Sequence, residues 1–269
     1  MAVTHFQREI WSKNIQDSLE LKCKLVDNCL RTYEGDCDHA KTVRILGVGE
    51  PTIGTYTSAG ITVEEMSDTS QELVIDQAKY FAFYVDDIDQ AQSMPGLKEE
   101  YQRKAVHGLA VARDAFVAEK IASVTDEGHV TTATAKTSEA LKAAIDAGIV
   151  ALRERNFDEE GVIEITPAAY NLFKNYLITA STNNPDYIKK GIVGEYDDFK
   201  VVMSNGLKKD SEYAYCDIRG KKAIAFAGQI NKVEAMRVEK YFKDMVRGLD
   251  TYGGKVIDKN RIQVIKVPV

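Results

Sequence analysis

Residues 93–124 read SMPGLKEEYQRKAVHGLAVARDAFVAEKIASV, and no other stretch of the 269-residue chain limits its architecture as much. Leu97, Tyr101, Leu109, Ala112 and Phe116 recur at helical spacing. Ser93 supplies an N-cap and Pro95 suits the first turn. Glu99 and Glu100 complement the positive end of the helix dipole. At ~1.5 Å per residue such a helix is a rod of roughly 40–45 Å. That is longer than a small domain is wide, so the rest of the chain must be laid along it. Ala105, Gly108 and Ala115 keep its surface thin, which predicts close packing against a sheet or a second helix.

The segment before this rod has the composition of strands and turns. TVRILGVGEPTIGTYTSAGITVEEMSDTSQELVIDQAKYFAFYVDD (42–87) is rich in Val, Ile, Thr and aromatics and is cut by Gly, Pro and Ser. Strands are expected near 42–46, 53–58, 61–65 and 72–85. In the last, Leu73 and Ile75, then Phe81, Phe83 and Val85, alternate in period two. Residues 47–71 have little apolar bulk and read as an extended hairpin. A lone hairpin is marginal in water, so this one must rest on something else, such as a neighbouring subunit. Ahead of it lies an amphipathic arm, with a helix over about 5–20 and looser chain after that. Its Trp11 is expected to anchor packing.

After the rod the pattern changes. DEGHVTTATAKT (126–137) has no periodicity and reads as a domain junction. Ser138 can cap a helix through Arg155, with Leu141, Ile145, Ile149 and Leu152 on one face. GVIEITP (161–167) gives a short buried strand; Thr166 caps and Pro167 begins a helix to about Ile178. A surface loop follows, then short strands at 199–204, 213–217 and 222–227. Long strand-like stretches run from Gly228 to the C-terminus. Within them, YFKDMVRGLDTYGGKVI (241–257) places Gly248, Gly253 and Gly254 beside Arg247 and Lys255. Such a stretch is either a loop that cradles phosphate or a strand that must bend or pack tightly. Its first half, 241–247, also fits a helical turn, although each glycine counts against a helix by about 1 kcal/mol relative to Ala.

The residues carry no recognisable catalytic constellation. GVGEPTIG (47–54) and GIVGEY (191–196) lack the strand–turn–helix setting that a dinucleotide site requires. His5, His39, His107 and His129 are scattered. Cys23, Cys29 and Cys37 stand six and eight residues apart, not the two to four that zinc favours, and read with Cys216 as reduced, partly buried thiols. Two acidic clusters, Asp86/Asp87/Asp89 and Glu195/Asp197/Asp198, could hold a cation, but turn and helix-end hydrogen bonding is the stronger reading. No catalytic, cofactor-binding or metal-binding residue is assigned, and the chain reads as a non-enzyme. The net charge of -6 argues against a nucleic-acid reader, and no apolar run reaches the ~18 residues of a membrane span. The N-terminus has no secretory h-region, so a cytoplasmic protein is the default expectation.

The order of these parts, with the words ELVIDQAKYFAFYVDDIDQAQS (72–93), GVIEITPAAYNLF (161–173), GIVGEYDDFKVVMSNGL (191–207) and KDMVRGLDTYGGKV (243–256), resembles the major capsid (coat) proteins of tailed bacteriophages. Those share the Hong Kong phage fold with encapsulin shells. The resemblance implies an α+β fold with an N-terminal arm at 1–41 and a peripheral domain beginning at 42–131. The latter would contain an extended E-loop (about 47–71) and a spine helix (about 93–125). An inserted α/β axial domain would span 132–227, and peripheral-domain strands would return at 228–269. It further implies a structural subunit that self-assembles through hexamers and pentamers into an icosahedral virion shell, built in the host cytoplasm. A separate scaffolding protein and a portal would assist, and double-stranded DNA would lie inside without sequence-specific binding. No membrane or cofactor is implied. The alternatives are an encapsulin-type compartment shell or, further off, a soluble α/β enzyme using the Asp clusters. The glycine stretch would then be peripheral-domain strand, with Arg247 and Lys255 as interface or solvated charges.

Overall fold

A computed structural model describes residues 23–34, 42–48, 68–86, 97–179, 194–237 and 243–269. The fold among them is mixed α+β. The largest sheet has six strands: β4 (Val130–Thr132), β5 (Gly161–Ile165), β6 (Glu195–Tyr196), β7 (Phe199–Met203), β8 (Tyr213–Gly220) and β11 (Ile262–Pro268). Their spatial order is β4-β11-β8-β5-β7-β6, with the β4–β11 and β5–β7 pairs parallel and the others antiparallel. β5 is buried along its whole length, as a strand at the centre of a covered sheet must be, and it is apolar except for Glu164.

Two helices cover one face of this sheet, α2 (Ser138–Glu154) and α3 (Pro167–Thr179). The expected stripe Leu141, Ile145, Ile149 and Leu152 is buried against Ile163, Ile165, Cys216 and Ile218. The cap lies one residue earlier than expected, because the Thr137 hydroxyl, not Ser138, accepts the Ala140 amide at 3.3 Å. Thr166 caps α3 as expected, accepting from the Ala169 amide at 3.4 Å.

The rod is α1 (Leu97–Ala122); residues 93–96, with the Ser93 cap and Pro95, lie outside the described residues. The stripe that α1 buries differs from the expected one. Val106, Leu109, Ala110, Val117, Ile121 and Phe116 enter the core, whereas Tyr101 is half exposed and stacks on Phe83. Gly108 and Ala115 are exposed, so they do not create a close approach. The core-facing side instead contains two charged residues, Arg113 and Asp114, both buried. Apolar spacing alone could not see them.

The strand expected over 72–85 is two strands in two sheets. β2 (Asp68–Val74) pairs antiparallel with β1 (Thr42–Val48), and β3 (Gln77–Asp86) joins a three-stranded sheet, β3-β10-β9. In that sheet β9 is Ile224–Arg237 and β10 is Lys243–Val256. Between β2 and β3 the chain passes over β10 at Gly253. A Cβ there would lie 2.2 Å from the Val74 carbonyl oxygen and 2.8 Å from the Ile75 Cα. Gly248 similarly admits the ring of its cross-strand neighbour Phe81, whose Cε1 would lie 2.4 Å from a Cβ. The glycines of β10 therefore serve close packing, and Lys243–Val256 is strand from its first residue, without a helical turn. Strands expected at 53–58 and 61–65, the arm helix and Trp11 lie outside the described residues.

Two further expectations change. Residues 126–137 are not a bare junction, because Val130–Thr132 pairs parallel with β11 at the sheet edge. The C-terminal strand β11, grouped in the sequence reading with the returning strands of 228–269, lies between β4 and β8 in the six-stranded sheet. Its alternation explains this. Ile265 and Val267 face α2 and α3, while Ile262 and Val264 face α1, so β11 is apolar on both sides and requires a central position.

Candidate functional site

Of the two acidic clusters, the second is built as a turn tied to a cation of the chain itself. Asp197 and Asp198 both have positive φ, 52° and 68°, and form the tight turn between β6 and β7. Arg153 pairs with both carboxylates, at 3.2 and 3.8 Å. Asp86 ends β3; Asp87 and Asp89 lie outside the described residues. Among the described residues, no group of three or more His, Cys, Asp or Glu is placed to hold a metal. Cys23, Cys29 and Cys216 are free and buried, and burial pushes their thiols up to about 12, 11 and 12 respectively. Cys37 lies outside the described residues.

Polar chemistry is concentrated instead in three buried locks that the sequence reading missed. Arg219 on β8 is fully buried and contacts Glu164 of β5 at 2.9 Å and Asp217 at 3.0 Å. It also donates to the carbonyls of Leu25 (2.8 Å) and Asn28 (2.9 Å). The Asn28 amide completes the ring by donating to Glu164 at 2.7 Å. The second lock is Asp114, which accepts the amides of Lys24, Leu25 and Val26 at 3.0–3.3 Å. The third is the pair Arg113–Asp250, joined by two hydrogen bonds of 2.9 and 2.5 Å near the rings of Phe226 and Tyr252. The first two hold residues 23–30, expected to be loose arm, inside the core between α1 and the six-stranded sheet, and the third ties α1 to β10. Leu30 adds a parallel bridge to Ala225.

Asp217 is the strained member of the first lock. Neither of its oxygens has a hydrogen-bond partner, and its contact with Arg219 lacks hydrogen-bond geometry. Burial, reinforced by the neighbouring Glu164 carboxylate and opposed by Arg219, raises its pKa well above the usual carboxylate range. Burial therefore favours the protonated form of Asp217. In the unfolded chain that proton leaves near pH ~4. Asp217 thus favours the fold most fully below that point, and its contribution falls as pH rises toward its folded pKa. Asp217→Asn, a permanently neutral isostere, is expected to have a melting temperature at about pH 8 equal to or above that of the natural chain, with a flatter pH dependence. Thermal melts from about pH 4 to 9 check this; a clearly lower Tm at pH 8 would mean that Asp217 is ionised beside Arg219.

The surface offers a different kind of site. Even-numbered residues of β10, such as Val246 and Tyr252, face α1. The odd-numbered Met245, Arg247 and Leu249 face outward, beside Tyr84, Ala82 and Tyr80 of β3. Tyr80 is 79% exposed and Tyr84 is 65% exposed. Tyr80 borders a shallow groove of 520 Å³ on this sheet face, lined also by Ala82, Met245 and Leu249. Arg247 is tied to Glu234 by two hydrogen bonds of 2.6 and 2.9 Å, across neighbouring strands. The face is therefore aromatic and apolar around a neutralised ion pair, which suits a protein partner and not a phosphate.

No protein-family model matches the chain, and no curated protein does. Solved structures do. A structure described as Mycobacterium phage Che8 is 27% identical, superposes with a TM-score of 0.77 and shares 90% of each chain. The capsid of cyanophage P-SCSP1u is 16% identical at a TM-score of 0.72, over 89% of this chain and 86% of that one. The mature capsid of bacteriophage PhiM1 is 15% identical at 0.68, over 91% and 87%. The fold is that of the phage capsid proteins.

Proposed function

We propose that this chain is the structural, non-enzymatic subunit of the icosahedral shell that encloses the genome of a tailed bacteriophage. The observation that carries the reading is a shared architecture over nine-tenths of the chain, with relatives named as phage capsids. The phage reading is preferred to an encapsulin-type compartment because the solved structures described above, with TM-scores of 0.77 and 0.72, carry phage names. Within it, α1 serves as the spine helix. The three-stranded sheet with β1 and β2 serves as the peripheral domain, and the unit over 132–227 as the axial domain, completed by β11. Residues 1–22 extend as the arm and about 47–71 as the E-loop, each resting on a neighbouring subunit. Hexamers and pentamers of this chain close the shell in the host cytoplasm, with a separate scaffolding protein and a portal. DNA is enclosed without sequence-specific contact, in keeping with the net charge of -6.

Purified chain, alone or with its scaffold, is expected to form large uniform particles by electron microscopy. Deleting residues 50–68 should leave a folded monomer that no longer assembles, as read by circular dichroism and sedimentation. A natural chain that stays a monomer or dimer under every assembly condition would sink the proposal. Loss of folding on deletion would contradict the E-loop role of that segment.

A further inference from the structure

The three-stranded sheet has two outer edges, and they are built differently. β9 carries Lys232, Glu234 and Arg237, and its register with β10 slips by one residue at Asn231. Charge and a bulge are the usual ways to blunt an edge against other chains. β3 has neither over its middle. Residues 80–84 read Tyr-Phe-Ala-Phe-Tyr, without charge, proline, glycine or register slip. Among the described residues β3 pairs only with β10, so its other side is an open ladder of strand-forming aromatics.

This five-residue sequence is also a palindrome about Ala82. A free edge can accept many strands, but a palindromic edge matches itself in antiparallel register. We infer that the outer edge of β3 pairs with β3 of a second copy of this chain across a two-fold axis at Ala82. Tyr80 then stands opposite the partner's Tyr84, Phe81 opposite the partner's Phe83, and Ala82 opposite itself. The contact is isologous, as two-fold contacts must be. Four aromatic pairs cross the junction, the kind of cross-strand pair that stabilises sheets. At its ends the register places Ala78 opposite Asp86 of the other copy and Lys79 opposite Val85 of the other copy, so no like charges face each other. The two sheets become one continuous antiparallel sheet of six strands. Its open face carries Tyr80, Tyr84 and Leu249 from both copies. This pairing goes beyond the shell reading and does not depend on it.

Cysteine cross-linking tests the register. In a Cys37→Ser background, Ala82→Cys places two thiols on the axis, within disulfide reach. Lys79→Cys places them six residue pairs apart, about 20 Å, beyond reach. Both positions are exposed, so both variants should fold. Under mild oxidation most of the Ala82→Cys chain is expected to run as a linked dimer, while Lys79→Cys stays at the background of the parent. Ala82→Lys sets like charges face to face on the axis and should sediment as monomer where the natural chain associates. Equal cross-linking at 79 and 82, or unchanged association of Ala82→Lys, overturns the inference. Particles that form without an 82–82 link also overturn it and leave the shell reading standing. A linked dimer that never forms particles supports the edge pairing and counts against the shell.

Discussion

Gly253→Ala is expected to unfold the chain or leave it barely stable, although it adds a single methyl group. The added carbon would lie 2.2 Å from the Val74 carbonyl oxygen and 2.8 Å from the Ile75 Cα. Both atoms are backbone, at the point where the chain leaves one sheet, crosses β10 and enters another. No side chain can turn aside to make room. Overpacking in a core costs typically ~1–3 kcal/mol when side chains can adjust. With backbone on the receiving side the cost should exceed ~3 kcal/mol, against a total stability on the order of 5–15 kcal/mol. The neighbouring glycine is the control. A Cβ on Gly254 would lie 3.1 Å from the edge of the Phe116 ring and 3.2 Å from the Ala225 carbonyl oxygen, tight contacts that shifts of a few tenths of an ångström relieve. Gly254→Ala should therefore cost about 1 kcal/mol or less. Urea denaturation of the two variants gives the comparison, and similar losses for both would show that the crossing does not explain Gly253.

The second large effect is expected from Arg219→Met. It removes the positive member of a fully buried lock and leaves Glu164 without its counter-charge. Breaking a buried ion pair from one side costs about 3–5 kcal/mol, because the remaining charge is stranded. The Leu25 and Asn28 carbonyls each lose the hydrogen bond from Arg219 in the same step. Hydrogen exchange should therefore report opening of residues 23–30 before the rest of the molecule. Removing both carboxyls along with the arginine should recover part of the loss but not all of it, since the Asn28 carbonyl still lacks the donor that Arg219 supplied. A variant with unaltered exchange at 23–30 would show that this lock does not hold the segment.

Much of the fold is legible along the chain because its elements bury one face at a regular period. Leu141, Ile145, Ile149 and Leu152 announce α2, and the pair Thr166-Pro167 announces α3. The long helix, the buried strand at 161–165 and the strands after 199 follow from the same logic. The failures have a common cause. Residues 72–85 keep one alternating phase through Ile75 and Asp76, so nothing local shows that the chain changes sheets there. Val130–Thr132 is too short and too polar to register as a strand until β11 lies beside it. Arg113, Asp114, Glu164, Asp217 and Arg219 are charged residues at positions that periodicity assigns to apolar side chains. Their partners are as much as 194 residues away, as for Arg219 and Leu25. A signal was present in Glu164, which interrupts an otherwise apolar buried run. It could be read only as an anomaly, because one sequence does not say where the matching cation lies.

Local physics settles the elements of this protein: which segments become helix or strand, where two helices are capped, and that β10 needs glycine. Those outcomes depend on backbone sterics and on burying one face, which neighbouring residues decide among themselves. Tertiary structure settled why Gly248 and Gly253 are needed, which sheet each described strand joins, how residues 23–30 are locked into the core and which strand edge no other described residue pairs. Those outcomes depend on atoms brought together from distant parts of the chain. Gly253 shows the difference: the sequence requires a small residue in a strand, and only the crossing of Val74 and Ile75 shows what fills the space.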